Sequence, residues 1–339
     1  MRPVIAPLPL VARNDSDFLP CPDFDLGLTL KSGQVFRWRE ASVPDGCTAH
    51  FTGWIEGSPA RVSQENSHLR VEGVSVEAAR RFFSLDTDLP ALARQMDVDE
   101  VIHSALQRHW GLRVIRQEPW ECTASFILSA YNNIPRLTGM LDTLASRFGR
   151  PLAPSREWVR SRSVRAVRRN SWMKNTARTS KLTYPSPGRG LSPAPGDGEV
   201  GTVYSFPRPE VLARVSERVL RNCGLGYRAP YLKAVAQKVA VGEVDLEKLR
   251  GLEDEELRRA LLTLPGIGEK VVECVMLFAY GRGAAFPVDV WIGRAMRQWY
   301  FRRRKVANRR IRQFARKHFG PHCGWAQQVL YCYAREEIA

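Results

Sequence analysis

Close-spaced cysteines, long apolar runs and acidic residues are all scarce in this chain of 339 residues. Its seven cysteines, Cys21, Cys47, Cys122, Cys223, Cys274, Cys323 and Cys332, are odd in number, far apart and without a CxxC pair. That spacing excludes a close-set structural zinc site and the four-cysteine pattern of an iron–sulfur cluster, and it fits free thiols in a reducing compartment. No apolar stretch approaches the roughly 20 residues of a spanning helix, so no membrane partner is expected. The opening MRPVIAPLPLVA has three prolines and no small-x-small cleavage site, which argues for a flexible arm over residues 1–20 rather than a signal peptide. Acids are outnumbered: 35 Asp+Glu face 51 Lys+Arg, a formal net charge of +16 and a pI near 9.9. Such a surplus favours a polyanionic partner, nucleic acid or an anionic surface. No internal repeat is visible.

What is present is ordinary in bulk and informative in detail. Hydrophobic residues make up 44% and charged residues 25%, as in a soluble globular protein, and the length allows two cores. Residues 21–115 read as a β-rich unit. DLGLTL, HFTGWI and HLRVEGV alternate as strands do, with KSGQ (31–34) as a turn before VFRWRE. From about residue 76 the period becomes helical, first in VEAARRFFSL and VDEVIHSALQRHW, then in ECTASFILSA and IPRLTGMLDTLASRFG. A helical unit over 116–155 and 201–339 is interrupted by residues 156–200. From Arg156 to Arg189 that insertion carries ten Lys/Arg and one acid, and a Pro/Gly-rich run follows. Such composition predicts disorder, with a non-specific DNA arm as the functional alternative. A second basic run, FRRRKVANRRIRQFARKH (301–318), has nine Lys/Arg and no acid and predicts a folded basic face. The fold class expected is α+β.

One motif carries chemistry. EDEELRRALLTLPGIGEKVVECVMLFAYG reads as an amphipathic helix, a glycine-flanked turn and a second helix. Gly266 and Gly268 permit a tight bend and leave amide N–H groups outward beside a helix N-terminus, a natural phosphate site. Lys270 falls in the first turn of the second helix, where the positive end of the macrodipole disfavours a charge and favours a nucleophilic amine. Asp289, in FPVDV, reads as a helix N-cap. A solvated lysine and a plain cap are the ordinary alternatives for either residue alone.

Together these residues resemble the helix-hairpin-helix, Gly/Pro-rich loop and aspartate signature of the DNA base-excision glycosylases, in which the lysine marks the bifunctional glycosylase/lyase branch. LKSGQVFRWRE (30–40), RQEPWECTASFILSAYNNIPRLTGM (116–140), GLGYRAPYL (224–232) and GWAQQVLY (324–331) resemble the 8-oxoguanine DNA glycosylase family in the same order. The likeness spans about residues 24–155 and 202–335 and leaves the basic insertion unmatched. It implies a small antiparallel sheet domain followed by a helical helix-hairpin-helix domain, a monomer, no cofactor and no metal. Its substrate would be double-stranded DNA containing an oxidised purine. Lys270 would attack C1′ of the damaged nucleotide and Asp289 would stabilise the positive charge developing on the sugar. The backbone carbonyl of Gly33 would accept from N7–H of the lesion. Cys274 and Tyr331 would pack on the two faces of the base, and Gln327 would meet its Watson–Crick edge.

Residues facing the opposite strand depart from the family in part. Asn132, Asn133 and Arg136 of YNNIPR match, but Tyr131 stands where an asparagine would bond the orphaned cytosine. Tyr227 matches the wedge residue and Arg228 the second cytosine-reading arginine. Trp291 replaces a histidine that would contact phosphate. Weaker discrimination among opposite bases is therefore expected. Two other readings stay open at this level: a glycosylase/lyase for a formamidopyrimidine or alkylated purine, and a DNA-binding protein that lost chemistry. The expected compartment is a bacterial nucleoid in the cytoplasm, or a nucleus or organelle if the source is eukaryotic.

Overall fold

An antiparallel sheet centred on residues 49–72 organises the first half of the molecule. The structure, a computed structural model, describes residues 18–152 and 203–338. Strands β1 (Phe18–Pro20), β2 (Arg39–Glu40), β3 (Ala49–Ile55), β4 (Ser58–Glu65) and β5 (His68–Glu72) form one antiparallel sheet in the order β1-β5-β4-β3-β2. Its register pairs Phe51 with Val62 and Val62 with Val71. These apolar side chains share one face, as the two-residue period requires. That face buries Leu19, Ile55, Ala60 and Leu69 against Ala79, Phe82 and Phe83 of the segment that follows. Strand β1 falls within the 1–20 span read as an arm, because Phe18–Pro20 pairs with β5. The rest of that arm and the 156–200 insertion lie outside the described residues.

DLGLTL is not a strand. Asp25 accepts from Leu28 N at 2.7 Å and caps a short helix, α1 (Leu26–Lys31), that buries Leu26, Thr29 and Leu30. Those positions follow the i, i+3, i+4 spacing of a helix, which competed with the alternation of leucines and won with the cap's help. KSGQ accordingly leaves a helix instead of joining two strands.

Among the described residues the remaining α-helices are α2 (Val76–Phe82), α3 (Leu89–Met96), α4 (Glu100–Arg108), α5 (Pro119–Leu128) and α6 (Ile134–Phe148). After the insertion come α7 (Pro209–Arg214), α8 (Glu217–Leu220), α9 (Ala229–Ala240), α10 (Asp254–Leu262), α11 (Glu269–Phe278), α12 (Val290–Trp299), α13 (Asn308–His318) and α14 (Cys323–Glu337). Helices α3 and α4 bury Leu92, Met96, Ile102 and Leu106 in the helical core, so packing assigns them there and not to the sheet. Two short strands, β6 (Pro151–Leu152) and β7 (Val203–Tyr204), pair across the ends of the insertion.

Two features position the site. Helix α5 is buried along almost its whole surface and lies against α11, where Phe126 stacks on Phe278 with 5.4 Å between ring centroids. At the seam between the two cores, buried Gln34 donates to Arg113 O at 2.7 Å, accepts from Ile115 N at 2.8 Å and receives Gln117 Nε2 on its own carbonyl at 2.9 Å. These bonds fix the loop that carries Gly33.

Candidate active site

The hairpin comes first. Gly266 has φ +76°, and a Cβ there would lie 2.6 Å from Tyr231 Cβ, so both conformation and space require glycine. Gly268 begins α11 without a side-chain cap and with nothing within 4 Å of a would-be Cβ. No side chain caps the first amides of α11, and the space beside Gly268 is open, which is the geometry that suits an anion.

Lys270 sits one residue inside that helix and is half-buried. Its Nζ donates to Ser129 Oγ at 2.9 Å and lies 5.3 Å from the Phe126 ring centroid. Ser129 is the C-cap of α5, and its hydroxyl donates onward to Phe126 O at 2.8 Å. The amine is thus held against the end of α5, on a hydroxyl and an aromatic face. Asp289 caps α12, its Oδ1 accepting from Ile292 N at 2.8 Å. Burial pushes its carboxyl above the ordinary range, opposed by that N–H and by the charge of Lys270. Cys274, one turn beyond Lys270, is buried. Desolvation raises its thiol to about 11, with Lys270 lowering it and Asp289 raising it. Lysine, thiol and carboxyl therefore share one electrostatic neighbourhood.

The opposite wall comes from the loop after α1 and from α14. Gly33 has φ +82°, and a Cβ added there would meet Tyr331 Oη at 3.3 Å and Ile134 Cδ1 at 3.7 Å. Burial raises the Tyr331 phenol to about 12; the charge of Arg335 opposes that rise and the charge of Asp289 adds to it. Gln328 Nε2 donates to Ser32 O at 2.9 Å and locks α14 onto the glycine loop. Its neighbour Gln327 is buried, yet its Oε1 has no partner. A buried acceptor left without a donor is costly, and any group that donates to it recovers that cost.

The loop between α5 and α6 carries the residues read as facing the other strand. Tyr131 has φ +48° and its side chain stands 98% exposed. Asn132 is spent on its own loop, donating to Leu128 O at 3.1 Å, and Asn133 caps α6 by accepting from Arg136 N at 2.9 Å. Arg136 is exposed. Arg228 is directed inward: 3% exposed, it donates through Nε to Ala130 O at 2.8 Å and through Nη2 to Tyr131 O at 3.0 Å. Its guanidinium lies 4.4 Å from the centre of the Tyr227 ring, whose hydroxyl also donates to Ala130 O, at 3.1 Å. Trp291, in the first turn of α12, lies under Arg294 at 5.6 Å.

Several positioning groups escaped sequence reading. Ser129 and Phe126 are two. The third is Glu273, wholly buried in α11, ion-paired with Arg258 and with Arg316 at 3.1 Å and close to Arg312. Its Oε2 also accepts from Phe286 N at 2.6 Å, three residues before Asp289. A lone acid inside KVVECVMLF was a legible signal, since a carboxylate in an apolar helix needs partners. The basic run 301–318 folds as a turn and α13. Arg302, Arg303, Arg304, Lys305, Arg309 and Arg310 are exposed, while Arg312 reaches Glu269 at 3.0 Å in the first turn of α11.

A glycine-rich hairpin thus carries a half-buried lysine at the start of its second helix, with a capping aspartate on the helix that follows. Residues 18–123 match the 8-oxoguanine DNA glycosylase N-terminal domain, and residues 124–321 match the HhH-GPD superfamily of base excision DNA repair proteins. The chain belongs to that superfamily, in the branch that carries the 8-oxoguanine glycosylase N-terminal domain. A probable N-glycosylase/DNA lyase of Methanothermobacter thermautotrophicus is 30% identical, over 94% of this chain and 95% of that protein. Among solved structures, MBOgg1 with a low-affinity DNA ligand matches with TM-score 0.77 and 28% identity, over 95% of this chain and 96% of that one. The Clostridium acetobutylicum 8-oxoguanine glycosylase/lyase, bound to duplex DNA with cytosine opposite 8-oxoguanine, matches with TM-score 0.74 and 26% identity, over 93% of each chain.

Proposed function

We infer that this protein is a bifunctional DNA glycosylase and abasic-site lyase of base-excision repair, acting on 8-oxoguanine in duplex DNA. One observation carries the reading: the amine of Lys270 is half-buried and bonded to Ser129, and its charge acts on both the buried Asp289 carboxyl and the buried Cys274 thiol one turn further along α11. Membership of a superfamily of base-excision enzymes supports it.

The damaged nucleotide leaves the stack to reach that amine. Its base lies between Cys274 and Tyr331, its N7–H donates to Gly33 O, and its Watson–Crick edge satisfies the orphaned amide of Gln327. The open amides after Gly266 and Gly268 take a phosphate. Lys270 gives its lone pair to C1′ as the glycosidic bond breaks, and the base departs with the bonding electrons and a proton. The ionised Asp289 stabilises positive charge on the sugar at that moment. Loss of the amine proton and opening of the sugar give a Schiff base. Removal of a C2′ proton then expels the 3′ phosphate and nicks the strand. Trp291 fills space near the phosphate without supplying charge.

A nicking assay tests the reading. Wild type should release 8-oxoguanine from a duplex and cleave the strand, and Lys270→Gln should do neither. Nicking only at a formamidopyrimidine or alkylated purine would move the substrate. Binding without nicking on any lesion would show a protein without the chemistry.

A further inference from the structure

Tyr131 is an aromatic side chain 98% in solvent on a backbone with φ +48°, two unfavourable features in one residue. Its hydroxyl stands in solvent, whereas Arg228 and Asn132 beside it are turned inward. Arg228 takes the carbonyls of Ala130 and Tyr131 from below, and Tyr227 donates to Ala130 O. Asn132 bonds back to Leu128 O. These bonds hold the left-handed turn and leave two rings facing out, Tyr131 and the 49% exposed Tyr227. The chain links this platform to the chemistry: Ser129, which holds the Lys270 amine, lies two residues before Tyr131, a reach of at most about 7 Å.

We propose that Tyr131 is the residue that engages the base left without a partner when the damaged nucleotide is extruded, and that it does so by stacking instead of hydrogen bonding. This rests on the function inferred above. Extrusion leaves a gap and an unstacked base on the intact strand. Every base has a π face, so an aromatic platform accepts any of the four, where a side-chain amide would select by donor and acceptor pattern. Arg228, which could read a base edge, is committed to holding the platform in place. Tyr227 then fills the gap and Tyr131 covers the estranged base.

The test uses the full chain and a duplex with a tetrahydrofuran abasic analogue opposite 2-aminopurine. Stacking on Tyr131 should keep emission low on binding. Tyr131→Phe should behave as wild type. Tyr131→Ala and Tyr131→Leu should give a bright complex and about 5- to 150-fold weaker binding, the range for losing one base–aromatic stack. The loss should be similar for C, T, A or G opposite the analogue. Unchanged emission and affinity in Tyr131→Ala would overturn the proposal, as would a loss confined to cytosine. Because the analogue cannot be excised, this result is independent of lesion identity. Failure of wild type to nick 8-oxoguanine would count against the inferred function, and a dark complex with Tyr131→Ala against this proposal alone.

Discussion

Lys270 Nζ and Ser129 Oγ lie 2.9 Å apart, joining the first turn of α11 to the C-cap of α5. The bond connects segments 141 residues apart and holds a flexible four-carbon side chain on one side of the pocket. Orientation of a nucleophile is worth several kcal/mol of barrier, so a residue that restricts it should show in the rate. Ser129→Ala should lower the single-turnover excision rate about tenfold, the scale of one hydrogen bond to a charged group. DNA affinity should hold within about twofold, and Ser129→Thr should restore the rate. An equal loss in rate and affinity would show a collapsed pocket instead of a misplaced amine.

Glu273 should matter to stability first. Its carboxylate is fully buried and neutralises a cluster of arginines while holding Phe286 N. Removing one partner of a buried charge cluster costs about 3–5 kcal/mol. Glu273→Gln should therefore lower the thermal midpoint by many degrees. A change below about 1 kcal/mol in denaturant unfolding would mean the arginines find other partners.

Asp289 should trade stability for function. Folding raises its carboxyl above the unfolded value. The ionised form is therefore disfavoured in the folded state. The penalty is absent below the unfolded pKa of about 3.9, grows as pH rises to the folded value, and is constant above it. Asparagine caps a helix about as well as aspartate. Asp289→Asn should thus melt higher than wild type near pH 8, converge with it at acid pH, and excise far more slowly. A lower midpoint at pH 8 would contradict the sign.

How much of this was legible is clear from particular residues. The alternation in HFTGWI marked β3, and the glycine-flanked turn with Lys270 and Asp289 marked the hairpin and the cap. DLGLTL misled because its leucines satisfy a two-residue period over a stretch too short to break the tie, and only Asp25 as a cap pointed to a helix. Ser129 had no signature, since a serine ending a helix is commonplace and its partner lies 141 positions away. Arg228 shows a different limit: its identity could be read, but its inward direction is set by the carbonyls of Ala130 and Tyr131.

Opposite-base discrimination should be shallow. Tyr131 stands in place of an amide, Arg228 is turned inward and Asn132 is bonded back to its own loop. A bidentate base contact supplies about 1–3 kcal/mol of discrimination. Without it, excision of 8-oxoguanine paired with C, T, G and A should vary by less than about tenfold. A steep preference for cytosine would refute this.

The most direct measurement is borohydride reduction of the protein on a duplex with one 8-oxoguanine, followed by peptide mapping of the covalent adduct. A single cross-link on the peptide containing Lys270, absent in Lys270→Gln and weakened in Ser129→Ala, is the predicted result. An adduct carried by another amine, or full trapping by Lys270→Gln, would contradict the account.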